Sequence, residues 1–258
     1  MSGMIGQRLV PEQGALDSVL GRTSPLVKLG VATAWLFGLM FVVDIRVPLV
    51  LAGLAILAGP LLGNVSLRRM FLGVAPLWAA ALGIVVFNTL FAAANNDPNL
   101  PAIAQIGPWR ITQAGLTAGL AVGSRVFAIV AVGILFGQTT DATRLADSLV
   151  QQSRLSPRFA YGALAAYQAV PRFADDIVTL RQARRIRGLR GGWHPRILVG
   201  LLVQAIRHGD RLALAMDARA FGSGPRTAYR IVSWGTPDLV VAVLGLASLA
   251  AALIVSRL

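Results

Sequence analysis

Cysteine is absent from all 258 residues, which excludes disulfides and any thiolate metal site. Charge is scarce as well: 14% of the residues are Asp, Glu, Lys or Arg, against about 25% in an ordinary soluble domain. Hydrophobic residues make up 55%, so the shortfall points to lipid as the solvent for much of the chain. Acid is the scarcer sign, 11 residues against 24 basic ones, for a net charge of +13. That excess suits nucleic acid, an anionic membrane surface or an acidic protein partner, and the placement of the charge decides among them. Residues 1–25 are mostly polar, whereas a secretory signal would carry its apolar run there, so a cleaved signal is not expected. A phosphate-cradling Gly-Lys-Ser/Thr loop is missing too, so the chain itself is not expected to bind ATP in the usual way.

Five apolar stretches approach the roughly 20 residues that cross a bilayer. They cover 26–43, 47–63, 71–94, 114–137 and 239–255. The first two are tightly joined around Asp44-Ile45-Arg46 and could instead form a hairpin that barely crosses. A stretch rich in Asn, Pro and Gly, 95–113, reads as a loop.

Segment 138–237 is of another kind. It holds 15 Arg and no Lys against six Asp and no Glu, and so carries +9 of the +13. By the positive-inside rule it belongs in the cytoplasm. Arg22, Lys28 and the Arg68-Arg69 pair fall on that same side if the chain starts inside. Phe159, Ala163, Tyr167, Val170, Phe173, Ala174, Ile177 and Leu180 recur at helical spacing and make an apolar stripe. Asp141 reads as an N-cap, Ser156-Pro157 as a helix start, and 188–195 as a break rich in glycine. A further helix is expected over about 196–220. The fold class is therefore an all-α integral membrane protein with about five transmembrane helices. Residues 1–137 hold the first spans, 138–237 a cytoplasmic set of amphipathic helices, and 238–258 the last span.

No catalytic or metal site emerges from the residues. His194 and His208 lack ligand spacing, and Asp175-Asp176 lacks the further carboxylate, one turn on, that a magnesium diphosphate site needs. Gly115, Gly119 and Gly123 mark a close helix contact in the fourth stretch. Arg125 lies midway along it and points away from the glycines. It either meets a partner or another helix, or snorkels from a helix that starts late. The run from Arg181 to Arg190 could face anionic lipid. Arg187 and Arg219, however, each close a separate helix, where the dipole favours a cation and a planar fork can meet a partner's carboxylate.

These features together resemble the transmembrane T component of energy-coupling factor (ECF) transporters. Ser24-Pro25-Leu26-Val27-Lys28-Leu29 resembles the family's Asp-Pro-Arg-x-Lys-Leu opening, with Ser24 in place of Asp. Arg125, Thr139-Thr140 and Pro171-Arg172-Phe173 resemble further family positions. The most specific likeness is to the paired Ala-Arg-Gly motifs. The first reads Ile186-Arg187-Gly188 within a run that begins Ala183-Arg184, and the second reads Ala218-Arg219-Ala220 after Asp217. Ala220 departs from the family glycine, and Asp217 stands for a frequent Glu.

The resemblance implies a non-catalytic scaffold. Its two coupling helices would dock Ile186, Arg187, Gly188, Ala218, Arg219 and Ala220 into grooves on two ABC ATPase subunits. Ala183, Arg184, Asp217 and Arg125 would support them, and a membrane-embedded substrate-binding S component would pack alongside. ATP and magnesium would be bound by the ATPases, with no cofactor, metal or nucleic acid on this chain. The location implied is the cell membrane, with the N-terminus and 138–237 in the cytoplasm. The cargo would be a vitamin or transition metal. A membrane prenyl or phosphatidyl transferase is the rival from the enzyme class, with only Asp175-Asp176 in its favour. A membrane-anchored binder of nucleic acid or anionic lipid is a second rival, and it would need its arginines on one continuous face.

Overall fold

The computed structural model describes residues 13–42, 44–72, 75–97, 100–106, 109–189, 194–224 and 227–255. The chain divides into two compact units, Met1–Leu145 with Ser233–Leu258, and Ala146–Val232.

The first unit opens with two short helices, α1 (Gln13–Leu16) and α2 (Val19–Arg22). Two apolar helices follow, α3 (Pro25–Met40) and α4 (Arg46–Leu62). Asp44 ends the first run, and its carboxylate accepts the Arg46 amide at 3.1 Å where the second begins. At roughly 1.5 Å per residue both helices fall short of the roughly 30 Å hydrocarbon thickness. Next come the short α5 (Leu67–Leu72) and then α6 (Ala75–Leu90). After α6 the chain makes a 3₁₀ turn at Ala93–Asn96 and an antiparallel hairpin, β1 (Ala102–Ile106) with β2 (Trp109–Thr112). The long α7 (Gln113–Thr139) follows, and α11 (Thr236–Val255) is the unit's last helix.

Among the described residues, three stretches are long and apolar enough to cross a membrane: Ala75–Asn96, which contains α6, then α7 and α11 up to Ile254. The apolar runs 26–43 and 47–63 become the shorter α3 and α4, and the run 71–94 starts as a separate helix, α5. Bulky apolar side chains on these helices, such as Phe37, Phe87 and Leu244, are more than half exposed. Lipid covers such surfaces in a spanning protein.

The centre of this unit is α7, which packs on α6 and on α4, while α11 packs on α3. Leu51, Ala55, Met70, Ala128 and Ala131 are wholly enclosed there. Glycine sets the α6–α7 distance, as its spacing implies. A Cβ on Gly119 would lie 2.1 Å from the Thr89 hydroxyl, and one on Gly123 would lie 2.0 Å from a Val85 methyl. Trp35 ties α3 to α11 by donating its indole N–H to the Gly245 carbonyl at 2.7 Å.

The stretch 95–113, which reads as a loop, contains the hairpin and is organised by a buried asparagine. Asn95 donates to the carbonyls of Thr89 (2.7 Å) and Leu90 (3.1 Å) at the end of α6. Its carbonyl oxygen accepts both the amide and the hydroxyl of Thr112. Thr112 in turn N-caps α7, accepting from Gly115.

Asp141, near the end of the first unit's main segment, accepts the Arg144 amide at 3.1 Å and so caps α8 (Ala142–Gln151), as expected, and the rest of α8 lies in the second unit. Pro157 opens α9 (Pro157–Ile186), and α10 (Arg196–Ala218) follows. Gln151 clamps the extended chain beyond α10. It donates to the Arg230 carbonyl and accepts the Val232 amide.

Candidate functional site: two arginine-capped helix ends

The two motifs occupy equivalent positions at two helix ends. Arg187 is the C-cap of α9, and Gly188 follows it in the left-handed region at φ 73°. The Gly188 amide donates to the Arg185 carbonyl at 3.0 Å, and the Leu189 amide to the Arg184 carbonyl at 3.1 Å. Arg219 is the C-cap of α10, and Ala220 follows it at φ 53°. Here the Ala220 amide donates to Asp217 and the Phe221 amide to Met216, both at 2.9 Å. Each set is a Schellman closure, in which the two residues past the cap bond back into the last turn. The glycine of an Ala-Arg-Gly motif thus has a physical job: it supplies the left-handed residue that lets the arginine sit at the very end of its helix.

Ala220 performs that job with a Cβ, which costs about 1–2 kcal/mol in the left-handed region. Ala220→Gly should relieve this and lose about 0.4–1 kcal/mol to unfolded-chain entropy, for a net gain of about 0.5 kcal/mol. Gly188→Ala should do the reverse and cost about 1 kcal/mol. Amide exchange at Phe221 and Leu189 checks both, slowing in the first variant and quickening in the second.

The helices run antiparallel. Gly200, early in α10, faces Leu180, late in α9: a Cβ on the glycine would lie 3.3 Å from the leucine side chain. At the other end the rings of Tyr161 and Phe221 meet edge to face at 6.2 Å. Arg187 and Arg219 therefore sit at opposite ends of the pair. From Tyr161 to Arg187 the helix rises about 40 Å at roughly 1.5 Å per residue.

Ile186 is 87% exposed, and Arg187, Gly188, Asp217, Ala218, Arg219 and Ala220 are exposed as well. Ala183 and Arg184 are half-buried, and the Arg184 Nε is enclosed with no hydrogen-bond partner among the described residues. Arg184 is thus no simple surface charge. Arg190 lies outside the described residues. Arg125 is half-buried midway along α7, which begins twelve residues earlier at Gln113, so a late-starting helix does not account for it. Its Nε is enclosed and unpartnered among the described residues. His194 accepts the Arg196 amide at 3.1 Å, and no three of His, Asp or Glu converge among the described residues.

Other quoted positions do come together. Lys28, the one lysine in the chain, is buried and donates to the Thr139 carbonyl at 2.6 Å, so it is no loop charge. Ser24 is joined to a residue that sequence reading missed, Asp238. One Asp238 oxygen accepts the Ser24 amide at 2.5 Å, and the other accepts the Gly235 amide at 2.8 Å. The local signal was present: Gly-Thr-Pro-Asp at 235–238 is a helix start with an acid at the third position.

In the second unit Tyr161 donates to the buried Asp147 at 2.7 Å. Burial first, then this hydrogen bond, pushes the phenol up to about 12. Stability from the neutral phenol is held below its ordinary pKa of 10.0 and lost as pH rises toward 12.

A model of the cobalt transport protein family (CbiQ) matches residues 17–229 of the chain. The energy-coupling factor transporter transmembrane protein of Limosilactobacillus fermentum is 29% identical over 247 residues, covering 87% of this chain and 88% of that protein. Its namesake in Heliobacterium modesticaldum is 28% identical, covering 88% and 90%. A putative ABC transporter ATP-binding protein of Bifidobacterium longum is 26% identical over 94% of this chain, which spans 32% of that protein.

Proposed function

The chain belongs to the cobalt transport protein (CbiQ) family, that of the transmembrane T components of energy-coupling factor transporters, and we propose that it couples two ATPase subunits to a substrate-binding S component. The observation that carries this reading is the pair of equivalent helix ends, each presenting an exposed arginine at opposite ends of one antiparallel pair. A guanidinium there adds its own charge to a favourable dipole and can meet a carboxylate with two parallel N–H donors. Two such ends suit two partners of one kind. The relative named for ATP binding, of which this chain spans a third, supports ATPases as those partners.

The exposed apolar residues of α9 and α10, among them Phe159, Tyr167, Leu198 and Leu202, suit an S component embedded in the membrane. In this reading 138–237 lies in the cytoplasm, where its positive charge would keep it. The ATPases hold ATP and magnesium, and this chain holds neither. The S component selects the cargo, a vitamin or a transition metal.

Co-expression with a candidate ATPase pair, followed by purification through a tag on this chain alone, tests the proposal. Both ATPases should co-purify, and the chain stripped of them should hydrolyse no ATP. Recovery of the folded chain without either ATPase, or hydrolysis by the chain alone, would overturn it.

A further inference from the structure

The two arginine-bearing ends share their backbone closure but differ in what holds them. At the first, a Cβ on Gly188 would meet nothing within 4 Å, and Leu189 is half exposed. At the second, Phe221 closes the Schellman bond to Met216 and also sets its ring against Tyr161. Gly222 is gripped next to it. Its carbonyl accepts from Arg158 Nη2 at 3.3 Å, and a Cβ there would lie 2.4 Å from Arg158 Nε. Tyr161 is itself pinned by its hydroxyl to Asp147, a buried acid on α8. A non-glycine residue in the left-handed region persists where its surroundings over-determine it. Ala220 is such a residue, and it sits between Arg219 and this grip.

We propose that Tyr161, held by Asp147 and packed on Phe221, is a positioning residue for Arg219, so that the second coupling end is tied to α8 while the first has no such ring and hydroxyl anchor among the described residues. The inference rests on the proposed coupling function. It makes the two ends mechanically unequal: the Phe221–Tyr161 ring contact and the Tyr161–Asp147 hydrogen bond form a route from the Arg219 end to α8. Residues Ala142–Leu145, the first turn of α8, belong to the unit that holds the membrane spans.

The experiment uses the full chain, first alone in lipid nanodiscs and then assembled with its ATPases and S component in vesicles. In the chain alone, Tyr161→Phe should speed amide exchange at Ala220 and Phe221 about tenfold and leave Gly188 and Leu189 unchanged. In the assembled complex the variant should retain its ATPases and their hydrolysis but lose about threefold in substrate taken up per ATP. Asp147→Asn keeps a carbonyl acceptor and should fall between Tyr161→Phe and the parent. A general loss of stability would instead speed exchange at both ends together, and that result, like unchanged exchange or parental uptake per ATP, would overturn the inference. Should Tyr161→Phe fail to accumulate, Phe221→Ala spares the Asp147 bond and must give the same end-specific change, or the inference fails. If the parent chain binds no ATPase, the proposed function falls, while the exchange measurement still decides whether Tyr161 holds the Arg219 end.

Discussion

Arg187→Ala and Arg219→Ala are each expected to loosen the hold on one ATPase by about 2–5 kcal/mol, the usual cost of removing one partner from a buried charged pair. Both residues are exposed at a helix end, and the backbone closures that end the two helices do not use their side chains. The loss should therefore appear in ATPase co-purification and in uptake, not in the thermal midpoint of the isolated chain. Lysine should rescue poorly, because an ammonium lacks the flat two-donor fork. Arg185, exposed on the last turn of α9, is the fitting control, since the half-buried Arg184 would confound packing with charge. If both alanine variants assemble and transport like the parent while Arg185→Ala fails, the working surface is the basic run and not its capped end.

Asp238→Ala should lower the stability of the membrane unit by about 3 kcal/mol. Two bonds from backbone amides to a carboxylate disappear together, each of a kind worth about 1.5–3 kcal/mol. Both amides lie at helix starts, Ser24 at α3 and Gly235 at α11, so the change unpins two helices at once. Asp238→Asn keeps one acceptor oxygen and should recover part of the loss. Thermal aggregation of the detergent-solubilised chain reads this directly. A midpoint unchanged from the parent would show that the two helix starts find other partners.

Much of this molecule could be read in advance because lipid makes the pattern coarse. Long apolar runs became α6, α7 and α11, and the glycine spacing marked a close helix contact, though not that α6 is the helix that Gly119 and Gly123 meet. Local chemistry was legible as well: Asp141 and Pro157 start helices where their side chains suit a start, and Arg187 and Arg219 end them. What escaped depended on distance along the chain or on a few short residues. Asp238 reaches a residue 214 positions away, and periodicity carries no such pairing. Asn95 looked like loop filler, yet its one amide group joins α6 to α7. The hairpin at 102–112 is too short for alternation to stand out among prolines and glycines. The departure at Ala220 was visible as a mismatch, but only its positive φ says what the mismatch costs.

The antiparallel course of α9 and α10 carries one more consequence. A closed pair of like subunits normally shows a two-fold axis, and a single chain without an internal repeat cannot match it. Reversing one helix against another repairs this cheaply, because a two-fold rotation exchanges the ends of an antiparallel pair. In the proposed coupling role the chain needs to duplicate only an arginine and a backbone closure to look alike to two like partners. Everywhere else it stays free to be lopsided.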